Sequence, residues 1–213
     1  MKHITFYFDF ISPYAALAFE QLPESLMGLS YGVTYKPILF AALLKRHGQL
    51  GPAEIKPKRD WTYRHVQWLA HRMGQEFQLP AAHPFNPLSL LRLAIASSEQ
   101  GTPNRYVTET LFRHVWRGGA DAVDAGRLAT LVASIAPQRD MNGDEVKAQL
   151  KANTDEAIAL DLFGVPAFVV DDKVFWGLDA LPMLGDYLRG DGWFEGPAWH
   201  TVHQVAQGAI RPK

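Results

Sequence analysis

The chain has 213 residues, 47% hydrophobic and 20% charged, enough for one large domain or a compact core with an inserted one. Its 21 basic and 22 acidic side chains leave a net charge of −1, no footprint for nucleic acid or an anionic membrane, and no stretch approaches the ~20 apolar residues of a membrane span. Cysteine is absent, which excludes disulfides, thiolate metal sites and cysteine nucleophiles, so sulfur chemistry has to arrive with a ligand.

The first predicted element is a strand over residues 3–9, where Ile4, Phe6 and Phe8 alternate with more polar positions. No signal-peptide cleavage site precedes it, and a cytoplasmic protein is the expectation. Ser12 and Pro13 open a helix as N-cap and first helical residue, with Ala16, Leu17, Phe19, Leu22 and Leu26 on its apolar face. A second strand at about 31–38, through Tyr31, Val33 and Tyr35, completes a β-α-β start.

Between about 60 and 160 helical periodicity takes over. Trp61, His65, Trp68, Leu69 and Met73 mark one helix; Leu88, Leu91 and Ile95 mark another, ended by Gly101. Thr102-Pro103 reads as the cap of a helix carrying Val107, Leu111 and Val115, and Asp124 as the cap of one carrying Leu128, Leu131 and Ile135. Asn142 with Glu145 reads as a capping box ahead of Val146 and Leu150. A final helix is expected to reach Phe163 and stop at Gly164.

Strand chemistry then returns at 167–170 and 173–176, joined by a two-residue turn at Asp171-Asp172, a hairpin by spacing. A helix from about 179 to 189 closes the pattern. The order β-α-β, helical block, α-β-β-α is that of an α/β, thioredoxin-like fold with an inserted all-helical domain. The expected division is a discontinuous thioredoxin-like domain at 1–40 and 154–190, the insert at 41–153, and a C-terminal extension at 191–213. No internal repeat or low-complexity tract interrupts it.

The widespread signatures GxGxxG, the Walker loop, HExxH and GxSxG are missing. His200 and His203 lie three apart but lack an acidic or thiol partner nearby; a metal needs three or four ligands, and none is expected. Two segments carry more chemistry. In Phe8-Asp9-Phe10-Ile11-Ser12-Pro13-Tyr14 a strand hands over to a helix start, where free amides and the positive end of the helix dipole suit an anion such as a thiolate. The Ser12 hydroxyl can donate to that thiolate, although Ser-Pro at a helix start is most often only a cap. Gly164-Val165-Pro166 is either a rigid connector or, with a cis bond, a place where Val165 presents its N–H and C=O to an extended peptide ligand.

Together these segments resemble a branch of the thioredoxin superfamily. It contains periplasmic disulfide oxidoreductases, kappa-class glutathione transferases and 2-hydroxychromene-2-carboxylate isomerases. Oxidoreductases of this fold begin the first helix with Cys-x-x-Cys; Ser12-Pro13-Tyr14-Ala15 stands here, so dithiol chemistry is excluded. The leading motif, Tyr35-x-Pro37, Phe163-Gly164-Val165-Pro166 and Phe175-Trp176-Gly177-x-Asp179 are similar to the isomerase group over about residues 3–189.

The resemblance implies glutathione as cofactor, with Ser12 at its sulfur as the catalytic residue and the Val165 backbone paired to its peptide. Trp176, Gly177, Leu178 and Asp179 match the segment that holds the γ-glutamyl end; Asp179 suits the ammonium group there, beside its alternative reading as an N-cap. Lys45, Gln49 and Asn86 match substrate contacts. Trp61, Trp68 and Phe85 are candidates for the walls of an aromatic pocket, with core packing expected for at least two of them.

Gln49 stands for a common asparagine, Pro87 for a serine, Leu178 for a polar residue and Ala180 for an arginine. These departures keep the glutathione side and leave the substrate open. The implied reaction is glutathione-dependent isomerisation of 2-hydroxychromene-2-carboxylate, or a similar aromatic-derived carboxylate, to its open-chain hydroxybenzylidenepyruvate isomer. The partners expected are this small molecule and a second copy of the chain in a homodimer, with no nucleic acid and no membrane. Alternatives are a kappa-like glutathione transferase and a non-catalytic glutathione-binding module, the latter favoured by Leu178 and Ala180.

Overall fold

The computed structural model describes residues 1–206, 208 and 209. Strand β1 (Lys2–Phe8) lies inside a four-stranded sheet of order β2-β1-β3-β4. It pairs in parallel with β2 (Tyr31–Pro37) and antiparallel with β3 (Ala167–Val170), which forms a hairpin with β4 (Lys173–Trp176). The parallel β1–β2 pair needs a crossover, supplied by α1 (Pro13–Ser25). This is the thioredoxin-like arrangement expected. Helices α2 (Phe40–His47), α3 (Lys56–Arg72), α4 (Leu88–Ala96), α5 (Arg105–Trp116) and α6 (Ala125–Ile135) lie between β2 and α7 (Asp144–Ala159). Helix α8 (Leu181–Arg189) follows the hairpin.

Strand β1 is covered on both faces, which is why its apparent alternation hides a nearly unbroken buried run. Ile4, Phe6 and Phe8 join the main core with Phe19, Phe112 and Phe168, while Tyr7 turns to a smaller cluster with Ile38, Leu43 and Val165. Phe6 stacks on Phe168 at 4.7 Å, and Phe8 meets Phe112 at a tilt with centroids 5.3 Å apart, so aromatic contacts tie β1 to both the hairpin and α5.

The caps at Ser12 and Asp124 form as expected, their side chains accepting from the amides of Ala15 and Arg127. Other helix ends differ. Asn104, not Thr102, caps α5: its Oδ1 accepts from the Val107 amide, while Thr102 pairs through its backbone with Ser98 in the preceding turn. Gly143, not Asn142, precedes α7; the Asn142 amide is instead taken by Asp140 in a turn. Helix α4 ends at Ala96, short of Gly101. Helix α7 is one continuous rod through the boundary expected at 153/154 and stops at Ala159, where Asp161 takes a positive φ, so no helix reaches Phe163. The part of the C-terminal extension before residue 206 packs on β4 and α8: Phe194 is buried against Phe175 and Tyr187, and Trp199 stacks on Phe175. Residues 207 and 210–213 of that expected extension lie outside the described residues.

Candidate active site

Ser12 sits where β1 hands the chain to α1, and it is 7% exposed. Its Oγ accepts from the Ala15 amide at 3.2 Å and donates to the Val165 carbonyl at 3.3 Å. The Val165–Pro166 peptide is cis, as the expectation for a ligand-presenting loop required. The two segments singled out in the sequence, 153 residues apart, therefore meet at one hydroxyl. Around it the first amides of α1 are unevenly used. Those of Ile11, Ser12 and Ala15 bond to Asp9 or Ser12, and Pro13 has none, which leaves the Tyr14 amide without a partner among the described residues. The Val165 amide is likewise unpaired there, while Pro166 receives the Gly177 amide at 2.9 Å.

The turn before Ser12 is held from several sides. Asp9 is 0% exposed; its two carboxylate oxygens accept from the amides of Ile11 at 3.1 Å and Phe40 at 3.0 Å, and its main-chain carbonyl accepts from Ser12. Burial without a neighbouring cation pushes its pKa up to about 7, against the lowering pull of those two amides. The next two carbonyls are held by the inserted helices: Trp116 Nε1 donates to Phe10 at 2.9 Å, and His83 Nε2 donates to Ile11 at 2.8 Å. The Ile11 carbonyl can only accept, which places the ring proton on Nε2; Nδ1 lies 2.8 Å from the Tyr63 hydroxyl, which also reaches the His83 carbonyl at 3.0 Å, and burial lowers the His83 pKa. Thus α3, α5 and the loop before α4 position the start of α1.

The DSBA-like thioredoxin domain family matches this chain over residues 3–189. The chain belongs to that family. Its relatives include the 2-hydroxychromene-2-carboxylate isomerase of Sphingobium xenophagum, 29% identical over 195 residues that span 88% of this chain and 98% of the relative. The isomerase of the same name from Pseudomonas putida is 30% identical over 194 residues, 85% of this chain and 91% of the relative. Glutathione S-transferase kappa 2 of Caenorhabditis elegans is 27% identical over 216 residues, covering 92% and 95%. A solved 2-hydroxychromene-2-carboxylate isomerase superposes with a TM-score of 0.75 over 91% of this chain and 97% of that one; at 22% identity this is a likeness of fold.

In this DSBA-like protein a cleft of about 1550 Å³ opens over Ser12, between the sheet end and the inserted helices. Val165, Trp176, Gly177, Leu178, Asp179, Gln49 and Asn86 all line it. Trp176 is 51% exposed and rests against Phe163 at 4.7 Å. Gly177 has φ 101°, a conformation that favours glycine, and a Cβ there would collide with the Asp179 carboxylate. The Leu178 side chain belongs to the core, so only its backbone is available to a ligand. Asp179 caps nothing: α8 has no side-chain cap, and the exposed Asp179 carboxylate makes no hydrogen bond or ion pair among the described residues.

One candidate residue stands apart from the others, and one expectation is corrected. Lys45 is exposed on the last turn of α2 and does not line the cleft, whereas Leu44 does; one residue further round a helix turns the side chain by about 100°, and here that carries Lys45 away. Core packing does not claim Trp61 and Trp68 either, which are 64% and 53% exposed. Trp61 and Phe85 line the cleft and Trp68 does not. Asp9, Tyr14, Lys58, His65, His83 and Trp116 have no role of their own assigned from the sequence, although Asp9 and Tyr14 lie in the segment singled out around Ser12. Among the described residues no three His, Asp or Glu side chains converge as a metal would require, and no helix is long and apolar enough to cross a membrane.

Proposed function

We propose that this chain is a glutathione-dependent isomerase of a small aromatic-derived carboxylate such as 2-hydroxychromene-2-carboxylate, with Ser12 as its catalytic residue. The observation that carries the reading is the contact of Ser12 Oγ with the Val165 carbonyl, which joins a helix start to a peptide-presenting loop. The residues there suit glutathione. Unpaired amides at Tyr14 and Val165 offer donors to a thiolate and to a peptide carbonyl, and the unpartnered Asp179 carboxylate suits an ammonium group. The cleft exceeds the roughly 300–1,000 Å³ of ordinary small-molecule sites, which gives room for cofactor and substrate together.

When bound, glutathione supplies a thiolate that adds reversibly to a conjugated carbon, so that a double bond becomes free to rotate before it is restored. Ser12 holds the anionic form at Oγ: its proton turns from the Val165 carbonyl toward the ligand, and that carbonyl is released to accept a peptide N–H. The N-terminus of α1 and the Tyr14 amide lower a thiol pKa that starts near ~8.5. Trp176, Gly177 and Asp179 hold the γ-glutamyl end, and Gln49 and Asn86 contact the substrate.

A kappa-like transferase is the second reading, favoured by the likeness to the nematode kappa protein. Stoichiometry separates the two, since an isomerase returns its glutathione and a transferase consumes it. The decisive experiment follows 2-hydroxychromene-2-carboxylate against pH, with and without glutathione, for the parent and Ser12→Ala. Turnover should require glutathione and fall far more than stability in the variant. Glutathione-independent turnover by the parent, or an unchanged pH profile in a folded Ser12→Ala protein, removes the mechanism.

A further inference from the structure

With Lys45 outside the cleft, a substrate carboxylate needs another cation, and the basic side chains lining the cleft are Lys58 and Arg72, both on α3. Between them α3 turns Trp61, Thr62, His65 and Leu69 to the same cleft at three- and four-residue spacing. The Trp61 and His65 rings lie nearly parallel, 12° apart with centroids at 6.0 Å, and the His65 Nδ1 meets the Tyr14 hydroxyl at 2.9 Å. The imidazole is thereby fixed to α1 two residues beyond Ser12, and it backs one face of an indole that remains 64% exposed. A large ring left in water on the wall of a cleft is a place for stacking.

The charges around Lys58 leave it available. Its neighbours Lys56 and Arg59 both face Asp60, at 3.5 Å and 4.0 Å, and the Glu54 carboxylate accepts from the Gly51 amide. Lys58 itself forms no ion pair among the described residues. Arg72 lies over Trp68, 5.6 Å from its ring centre, and is about 16 Å along the helix from Trp61. Lys58, three residues before Trp61, has its Cβ roughly 5–6 Å from that of Trp61, close enough for both side chains to reach one small ligand in the cleft.

We infer that Trp61 and Lys58 form the substrate subsite, the indole stacking on a planar aromatic ring and the ammonium group receiving its carboxylate. The inference deepens the proposed isomerase reading and rests on it for the substrate class, yet its test needs neither glutathione nor turnover. The probes are 2-naphthoate and the uncharged 2-naphthamide, titrated calorimetrically into the parent, Lys58→Gln, Trp61→Ala, Lys45→Gln and Trp68→Ala. All four side chains are exposed, and the unfolding midpoint of each variant verifies its fold.

Lys58→Gln should weaken naphthoate on the order of tenfold and leave naphthamide unchanged. Trp61→Ala should weaken both ligands, and the other two variants neither. Parent-like naphthoate binding by Lys58→Gln, a loss caused by Lys45→Gln instead, or no binding to the parent overturns the subsite. Normal naphthoate binding combined with absent isomerisation would count against the glutathione reading alone.

Discussion

Asp9→Asn exchanges a buried ionisable group for a neutral one of the same shape, and its effect should reverse sign with pH. Asp9 has no exposed surface and, among the described residues, only the amides of Ile11 and Phe40 as side-chain partners, and burial raises its pKa from 3.8 to about 7. Between those values the folded protein holds a proton that the unfolded chain has released, so stability falls as pH rises. The contribution is fully present below about pH 4 and lost above about pH 7. At about 1.4 kcal/mol per pH unit the whole gap is worth about 4 kcal/mol, of which about 3 kcal/mol falls between pH 5 and pH 8.5.

Asparagine does not titrate, but its NH₂ faces one of the two amides and loses that hydrogen bond at every pH, at a cost of about 1–3 kcal/mol. The variant should therefore be the less stable protein below about pH 4, reach parity between about pH 4.5 and pH 6, and be the more stable one by pH 8.5. Urea unfolding followed by circular dichroism at several pH values measures the difference. His83 and His114, whose pKa values burial lowers, tilt both curves in the opposite sense and largely cancel in the comparison. A parent-minus-variant difference constant to within about 0.5 kcal/mol from pH 5 to pH 8.5 would refute the buried, proton-holding Asp9.

Ser12→Ala should cost about 1 kcal/mol of stability from the lost cap on Ala15, measurable in the same urea experiment and small beside the loss of turnover. Trp116→Phe leaves the Phe10 carbonyl without its indole donor and should lower stability by about 1–3 kcal/mol; an unchanged urea midpoint would show that this bond does not brace the turn. Gly164→Ala places a Cβ 2.5 Å from Trp176 Nε1, so the exposed indole must shift; calorimetry should find weaker glutathione binding with the unfolding midpoint nearly unchanged. The pure protein should not reduce insulin, because Ser12 and Ala15 occupy the positions of both redox cysteines; activity above an inactive control would contradict that.

Much of the fold is legible because the signals are local. The alternation in β1, the Ser12 and Asp124 caps, the apolar face of α1 and the hairpin at Asp171-Asp172 each depend on neighbours within a few residues. Composition alone removed cysteine chemistry. The helix ends at Asn104 and Gly143 were misplaced because several small polar residues compete for each cap, and only the path of the entering chain selects one.

Family likeness implies one ligand for Ser12 and Val165, but their meeting at one hydroxyl comes from the fold, since no local pattern links positions 153 residues apart. Tertiary structure alone decided the rest of the site. Whether a helix turns Lys45 or Lys58 to the cleft depends on which side its core residues bury, and α2 buries Leu43 while α3 buries Thr62, Val66 and Ala70. Asp9, His83 and Trp116 acquire their roles from amides and carbonyls supplied by distant segments. Periodicity is a property of the chain, and it fixes the elements. Burial and partnership are properties of packing, and they turn an acid between two phenylalanines into a buried brace beneath the turn that leads to Ser12.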